Sequence, residues 1–167
     1  MNLELVKYPD PRLTQASRKA QINGDLRTLA EQMQELIKTY QDPEAAGLSA
    51  VQVGVPVRLL IARDLANPVD QLILINPKFV SRSKEEELDW EGCLSFPDLY
   101  GRVWRAKKVK LKYQDLEGRD QRLTAAGFLA RVLQHEMDHL AGVTFDTKVV
   151  GKLQHASELE ANANISD

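Results

Sequence analysis

Phe128-Leu129-Ala130-Arg131-Val132-Leu133-Gln134-His135-Glu136-Met137-Asp138-His139-Leu140 sets two imidazoles four residues apart within an apolar run. Read as a helix, it places Phe128, Val132, His135 and His139 on one face at steps of four, three and four, with Leu129, Leu133 and Leu140 forming a second apolar stripe. Thr124 is the expected N-cap, and Gly142 is well placed to end the helix in a left-handed turn. Two apolar stripes leave little of the helix for water, so it should be a central helix packed against sheet in an α+β domain. The histidines then face the core side. Two ring nitrogens so placed can reach one divalent cation, and Glu136 is positioned to take a proton from water at that cation. A single histidine on an apolar face is more often a satisfied core residue than a ligand. Here there are two, spaced around a glutamate that is costly to bury without a partner, and the pattern reads as a metal-hydrolase signature. Ordinary helices produce the same five-residue pattern by chance, so a third ligand and an oxyanion donor are the deciding features.

Catalytic metals usually keep three protein ligands and one open position. The only cysteine, Cys93, is the leading candidate for the third, within Glu91-Gly92-Cys93-Leu94-Ser95, where Gly92 should let the backbone bend and aim the thiolate. The bland reading of a lone cysteine is buried apolar filler. His155 lies on a polar tail and reads as an exposed bystander. A rival enzyme reading is a zinc peptidase whose third ligand is a downstream carboxylate, Glu158 or Glu160, and a non-enzymatic one is a peptide-binding domain stabilised by a structural metal. Trp90 and Trp104 read as packing residues.

Upstream, Leu3 and Leu5 alternate before Pro9-Asp10-Pro11 breaks any regular element. Asp25 is the expected N-cap of a helix whose apolar positions are Leu26, Leu29, Met33, Leu36, Ile37 and Tyr40, stopped at Gln41-Asp42-Pro43-Glu44. Val57–Ala62 and Gln71–Ile75 have the length and composition of core strands, joined by a loop carrying Asn67-Pro68. Glu85-Glu86-Glu87 reads as a solvated edge. Val103–Tyr113 and Arg119–Thr124 flank Asp115-Leu116-Glu117-Gly118 as a hairpin, which makes the sheet at least partly antiparallel. The expected fold is therefore α+β, with mixed, largely antiparallel sheets around a C-terminal helix that carries the metal-binding run.

The 167 residues, 43% of them hydrophobic, suit one domain with a proper core. We expect a catalytic domain over residues 1–147 and a short polar tail over 148–167, without a sustained apolar face and frayed. A net charge of −2, from 22 basic and 24 acidic residues, gives no overall field toward polyanions, so neither nucleic acid nor a membrane is expected as a partner. No secretory signal or span-length apolar stretch is present. One cysteine cannot form an internal disulfide, which favours a reducing compartment and a cytoplasmic location.

Three blocks together, Gly47-Leu48-Ser49-Ala50-Val51-Gln52, Glu91-Gly92-Cys93-Leu94-Ser95 and Gln134–Leu140, resemble the peptide deformylases, with Lys7–Leu13 and Val103-Trp104-Arg105 also similar to that family's pattern. The resemblance runs from the first residues to about Thr147. It implies Cys93, His135 and His139 as metal ligands, Glu136 as general base and then acid, and Gln52 with the backbone N–H of Leu94 as oxyanion donors. It also implies that Gly47 admits the substrate backbone as an added strand and that Glu91 pairs with Arg105 to hold the cysteine loop. The implied reaction removes formyl from N-formyl-methionine of new polypeptides and releases formate. The implied cofactor is one divalent ion, Fe(II), with zinc or nickel as substitutes. The expected partners are nascent formylated chains, with transient ribosome proximity but no basic docking tail, and a monomer is expected. Two departures stand out. Ala45 replaces a usual Gly and Ser49 a usual Ala, and neither is expected to touch a chemical role.

Overall fold

Helix α2 (Gly127–Leu140) packs against both sheets in the computed structural model, which describes residues 2–41, 44–65 and 71–165. One sheet has the order β1 (Gly47–Ser49), β2 (Leu59–Arg63), β3 (Gln71–Arg82), β6 (Lys108–Gln114), β7 (Asp120–Ala126). The other has the order β4 (Glu86–Cys93), β5 (Phe96–Ala106), β8 (Val150–His155), and every named strand pair is antiparallel. Alternation along β2 and β3 explains the layering: Leu60, Ala62 and Leu74 join the cluster that packs on α2, whereas Leu59, Ile61 and Ile75 join the one that packs on α1 (Gly24–Lys38). The expected α+β architecture around the motif-bearing helix is thus the architecture found.

Several local expectations are corrected. Helix α1 is capped by Asn23, whose Oδ1 accepts from Leu26 N–H at 2.9 Å, so Asp25 lies inside the first turn. Its buried face is Leu26, Ala30, Met33 and Ile37, and it ends at Lys38 before the expected stop, part of which (Asp42, Pro43) lies outside the described residues, as does Asn67-Pro68. Thr124 does not cap α2. It sits in β7, paired with Lys110, and the helix starts after Ala126 with no side-chain cap. Val103–Tyr113 is not one strand either: the chain breaks at Lys107 and passes there from β5 in one sheet to β6 in the other. The β6–β7 hairpin across Asp115–Gly118 is as expected. Phe128 is half exposed and leaves the apolar stripe it was assigned to, and Trp90 and Trp104 stand on the outer side of β4 and β5, 40% and 52% exposed, rather than packing inside. The tail expected to fray from residue 148 instead contributes β8, which pairs with β5, and helix α3 (Ala156–Ile165).

Gly142 does end α2 in the left-handed region, with φ +76°. A β-carbon there would also stand 2.5 Å from the carbonyl oxygen of Thr14, where Ser17 N–H donates to Leu140 O and docks the N-terminal segment onto the helix end. Gly142→Ala should therefore lose about 2 kcal/mol or more of stability. A urea titration checks it: the midpoint should fall with the slope unchanged.

Candidate active site

Cys93 closes β4 at a register shift between Gly92 and itself, at the mouth of the tight hairpin into β5. His135 and His139 lie one turn apart on the buried side of α2, their ring centroids 5.0 Å apart. Ligand atoms of the three residues all lie within 4.8 Å of one another, and Cys93 Sγ is 3.3 Å from His139 Nε2. One thiolate and two imidazoles suit a first-row divalent ion. This convergence is the physical test that the donor set fits such an ion. The rival third ligands Glu158 and Glu160 lie exposed on α3 and do not join the group, and His155 is exposed, its ring bonded to Ser157.

Glu91 is buried two residues before Cys93 on the same side of β4. Its Oε2 accepts from Arg105 Nε at 2.7 Å and from Arg131 Nη1 at 2.8 Å, and its Oε1 accepts from Arg105 Nη2 at 2.9 Å. His135 Nδ1 is 2.8 Å from Oε1. Burial alone would raise this carboxyl, but the hydrogen bonds from Arg105 and His135 overcome it and hold Glu91 down to about 2. An ionised carboxylate only accepts, so Nδ1 of His135 carries hydrogen and Nε2 is left for a ligand. Burial disfavours both imidazolium forms. Hydrogen bonds to Cys93 and Glu91 nevertheless push His135 well above its usual range, whereas burial and the neighbouring charges of His135 and Arg105 push His139 well below.

Glu136 is buried, and that burial raises its carboxyl, opposed by the charge of His135 and a hydrogen bond from Ser49. Its Oε2 accepts from Ser49 Oγ at 2.8 Å, while Oε1 faces Gly47, where a β-carbon would stand only 2.5 Å away. The glycine at 47 is thus required by the carboxylate itself, in addition to any strand approaching β1. Gly92 is also closely packed: a β-carbon there would meet the Tyr100 ring at 2.6 Å, and the register of β4 against β5 shifts between this residue and Cys93. Gln52 is buried in a turn after β1. It takes Ser49 N–H on Oε1 at 2.9 Å and points Nε2 at Ser95 Oγ (3.1 Å) and Cys93 Sγ (3.5 Å). Leu94 follows Cys93 in the hairpin turn. All seven sequence-selected residues, Gly47, Gln52, Cys93, Leu94, His135, Glu136 and His139, therefore come from three segments that meet at one place, and the Glu91–Arg105 pair is formed.

Residues 2–154 match the family model of the polypeptide deformylases. The chain belongs to the polypeptide deformylase family. It is 44% identical over 145 residues to a peptide deformylase of Rhizobium meliloti, covering 84% of this chain and 81% of that one, and 41% identical over 148 residues to one from Brachyspira hyodysenteriae, covering 85% and 78%. Among solved structures it resembles a peptide deformylase from Synechococcus elongatus in complex with actinonin (37% identity, TM-score 0.81, 98% of this chain and 84% of that one). It also resembles the Thermotoga maritima peptide deformylase (32% identity, TM-score 0.80, 90% and 99%). Family membership and the Cys93, His135, His139 cluster together support a divalent metal at this site.

Sequence reasoning missed two contributors. Ser49 touches Glu136, against the expectation that it has no chemical role. Arg131 stands four residues before His135 on the same helix face and is buried, donating to Glu91 and to the carbonyls of Glu87 and Val103 at 2.8 Å each. The signal was present: a cation at that step on an apolar stripe needs a buried acceptor. Arg131→Met leaves those carbonyls and part of Glu91 unpaired, and should cost about 3–5 kcal/mol in denaturant unfolding, with Arg131→Lys recovering less than half.

Proposed function

We propose that the chain is a metal-dependent hydrolase that removes the formyl group from N-formyl-methionine of newly made polypeptides and releases formate. The observation that carries this reading is Glu136 buried beside a Cys/His₂ cluster with the Gln52 amide aimed at the same cysteine. In this reading Cys93, His135 and His139 hold the ion, and the family resemblance favours Fe(II), with zinc or nickel as substitutes. When bound, a divalent ion supplies Lewis acidity to water and to the formyl carbonyl.

Each other role belongs to the chain's own residues. Glu136 takes a proton from the attacking water and returns it to the departing amine, a double task suited to a carboxyl that burial holds above its ordinary value. Gln52 Nε2 and the N–H of Leu94 donate to the oxygen on which negative charge develops. Glu91, fixed by two guanidiniums, keeps His135 in one tautomer. β1 is an edge strand of its sheet, so the substrate backbone can join alongside Gly47 as an added strand. No helix among the described residues is long and apolar enough to cross a membrane. We place the enzyme in the cytoplasm, as a monomer acting on nascent chains, because its one thiol is free and its substrate is made there.

The test is formate release from a formyl-Met peptide by protein prepared anaerobically with Fe(II), beside an acetyl-Met peptide. Formate from the first and no acetate from the second is the expected result. No turnover with one metal bound per chain would refute the substrate assignment. Glu136→Gln should lower kcat by at least about 100-fold with metal content unchanged, whereas Cys93→Ala should lose the metal itself, as read by elemental analysis after dialysis.

A further inference from the structure

We propose that Ser49 is a positioning residue for Glu136, its hydroxyl holding Oε2 of the carboxylate so that Oε1 is the oxygen that takes and returns the proton. The proposal rests on the reading of Glu136 as the proton carrier. Ser49 is fully buried at the end of β1, and its contact with Glu136 joins two elements 87 residues apart in the chain. Oγ lies 2.8 Å from Oε2 and 3.1 Å from the backbone oxygen of Glu136.

A hydroxyl has one hydrogen and two lone pairs, and its hydrogen can rotate. Toward the ionised carboxylate it donates to Oε2. When the carboxyl carries a proton, the same hydrogen can turn to the backbone oxygen without leaving Oγ unsatisfied. Ser49 therefore serves both charge states of Glu136 in a buried place, where an unmet polar atom is costly. The second carboxylate oxygen, Oε1, faces Gly47 on the edge strand, on the side from which the substrate approaches in the reading above. In the forward step a water O–H bond breaks and its proton bonds to Oε1, while the electron pair left on the water oxygen forms the bond to the formyl carbon and the carbonyl π pair moves onto the formyl oxygen. When the C–N bond breaks, its electron pair leaves with the amine nitrogen, which takes the proton from Oε1, and the pair on the formyl oxygen returns to re-form C=O in the released formic acid, which ionises to formate. Ser49 keeps its own proton throughout and acts on the proton transfer through Glu136. Space-filling does not account for it, since a methyl would occupy nearly the same volume without a hydrogen that needs an acceptor.

The test uses the full chain loaded with metal. Ser49→Ala should lower kcat for formyl-Met peptide by about 10-fold or more, with KM within about 2-fold and metal content unchanged, and Ser49→Thr, which keeps the hydroxyl, should recover most of the loss. A thermal-unfolding cycle gives a readout that does not depend on turnover. Ser49→Ala should lower Tm by about 3–8 °C in the parent and by less than about 1 °C in a Glu136→Met background. Equal Tm shifts in the two backgrounds, or an unchanged kcat in Ser49→Ala, would overturn the proposal. A parent that releases no formate would sink the deformylase reading alone, and the thermal cycle would still decide whether Ser49 and Glu136 are coupled.

Discussion

The site depends on one buried carboxylate. Glu91 receives four hydrogen bonds, two from Arg105, one from Arg131 and one from His135, which occupy about as many acceptor positions as a carboxylate has. The donors come from β5 and α2, so a single group ties the three-stranded sheet to the helix that also packs on the five-stranded one. Arg105 extends the network to Asp138, one residue before His139, and Lys148 reaches the same Asp138. Such a buried ion cluster is weak evidence for net stability, because desolvating the charges offsets their attraction. Its effect here is geometric: Glu91 sets the ring of His135 directly, and through the strand it fixes Cys93, which lies on the same side of β4.

The second constraint is close approach. The five-stranded sheet ends in β1, and its first residue must be glycine because Glu136 occupies the space a side chain would need. Contact between an edge strand and a helix at that range puts a carboxylate against backbone, with Ser49, Gln52 and Ser95 as its polar neighbours or theirs. Ser49, Gln52 and Ser95 are paired inside the protein, whereas Nδ1 of His139, on the same helix as Glu136, is buried with no hydrogen-bond partner among the described residues.

How much of this was legible follows from which physical signals are local. The histidine spacing, the apolar stripes of α2 and the left-handed Gly142 were readable because helical period and chirality act within a few residues. The start of α2 was not. Thr124 has a good capping side chain, but β7 continues through it because its pairing with Lys110 is a long-range contact. The break at Lys107 and the strand at Val150–His155 failed for the same reason, since only the neighbouring strand reveals them. At the site, the groups that do chemistry were visible from residue type and spacing. The groups that orient them were not, because Ser49 and Arg131 are ordinary residues until the partner 87 or 40 positions away is known.

The electrostatics of Glu136 tie these constraints together. A group that must first accept and then donate a proton works best when neither state is held too strongly. Burial disfavours its charge, while a positive charge at the ligand cluster and the Ser49 hydroxyl favour it, and the balance leaves the carboxyl above its ordinary value. Glu91, only a helix turn's reach away through His135, faces the opposite balance: its cationic partners overcome burial and hold it at about 2. Two buried glutamates are thus shifted in opposite directions: burial prevails at Glu136, and hydrogen bonds from cationic partners prevail at Glu91. The one saturated with guanidinium donors stays charged as scaffold, and the one left with a single hydroxyl can change its charge.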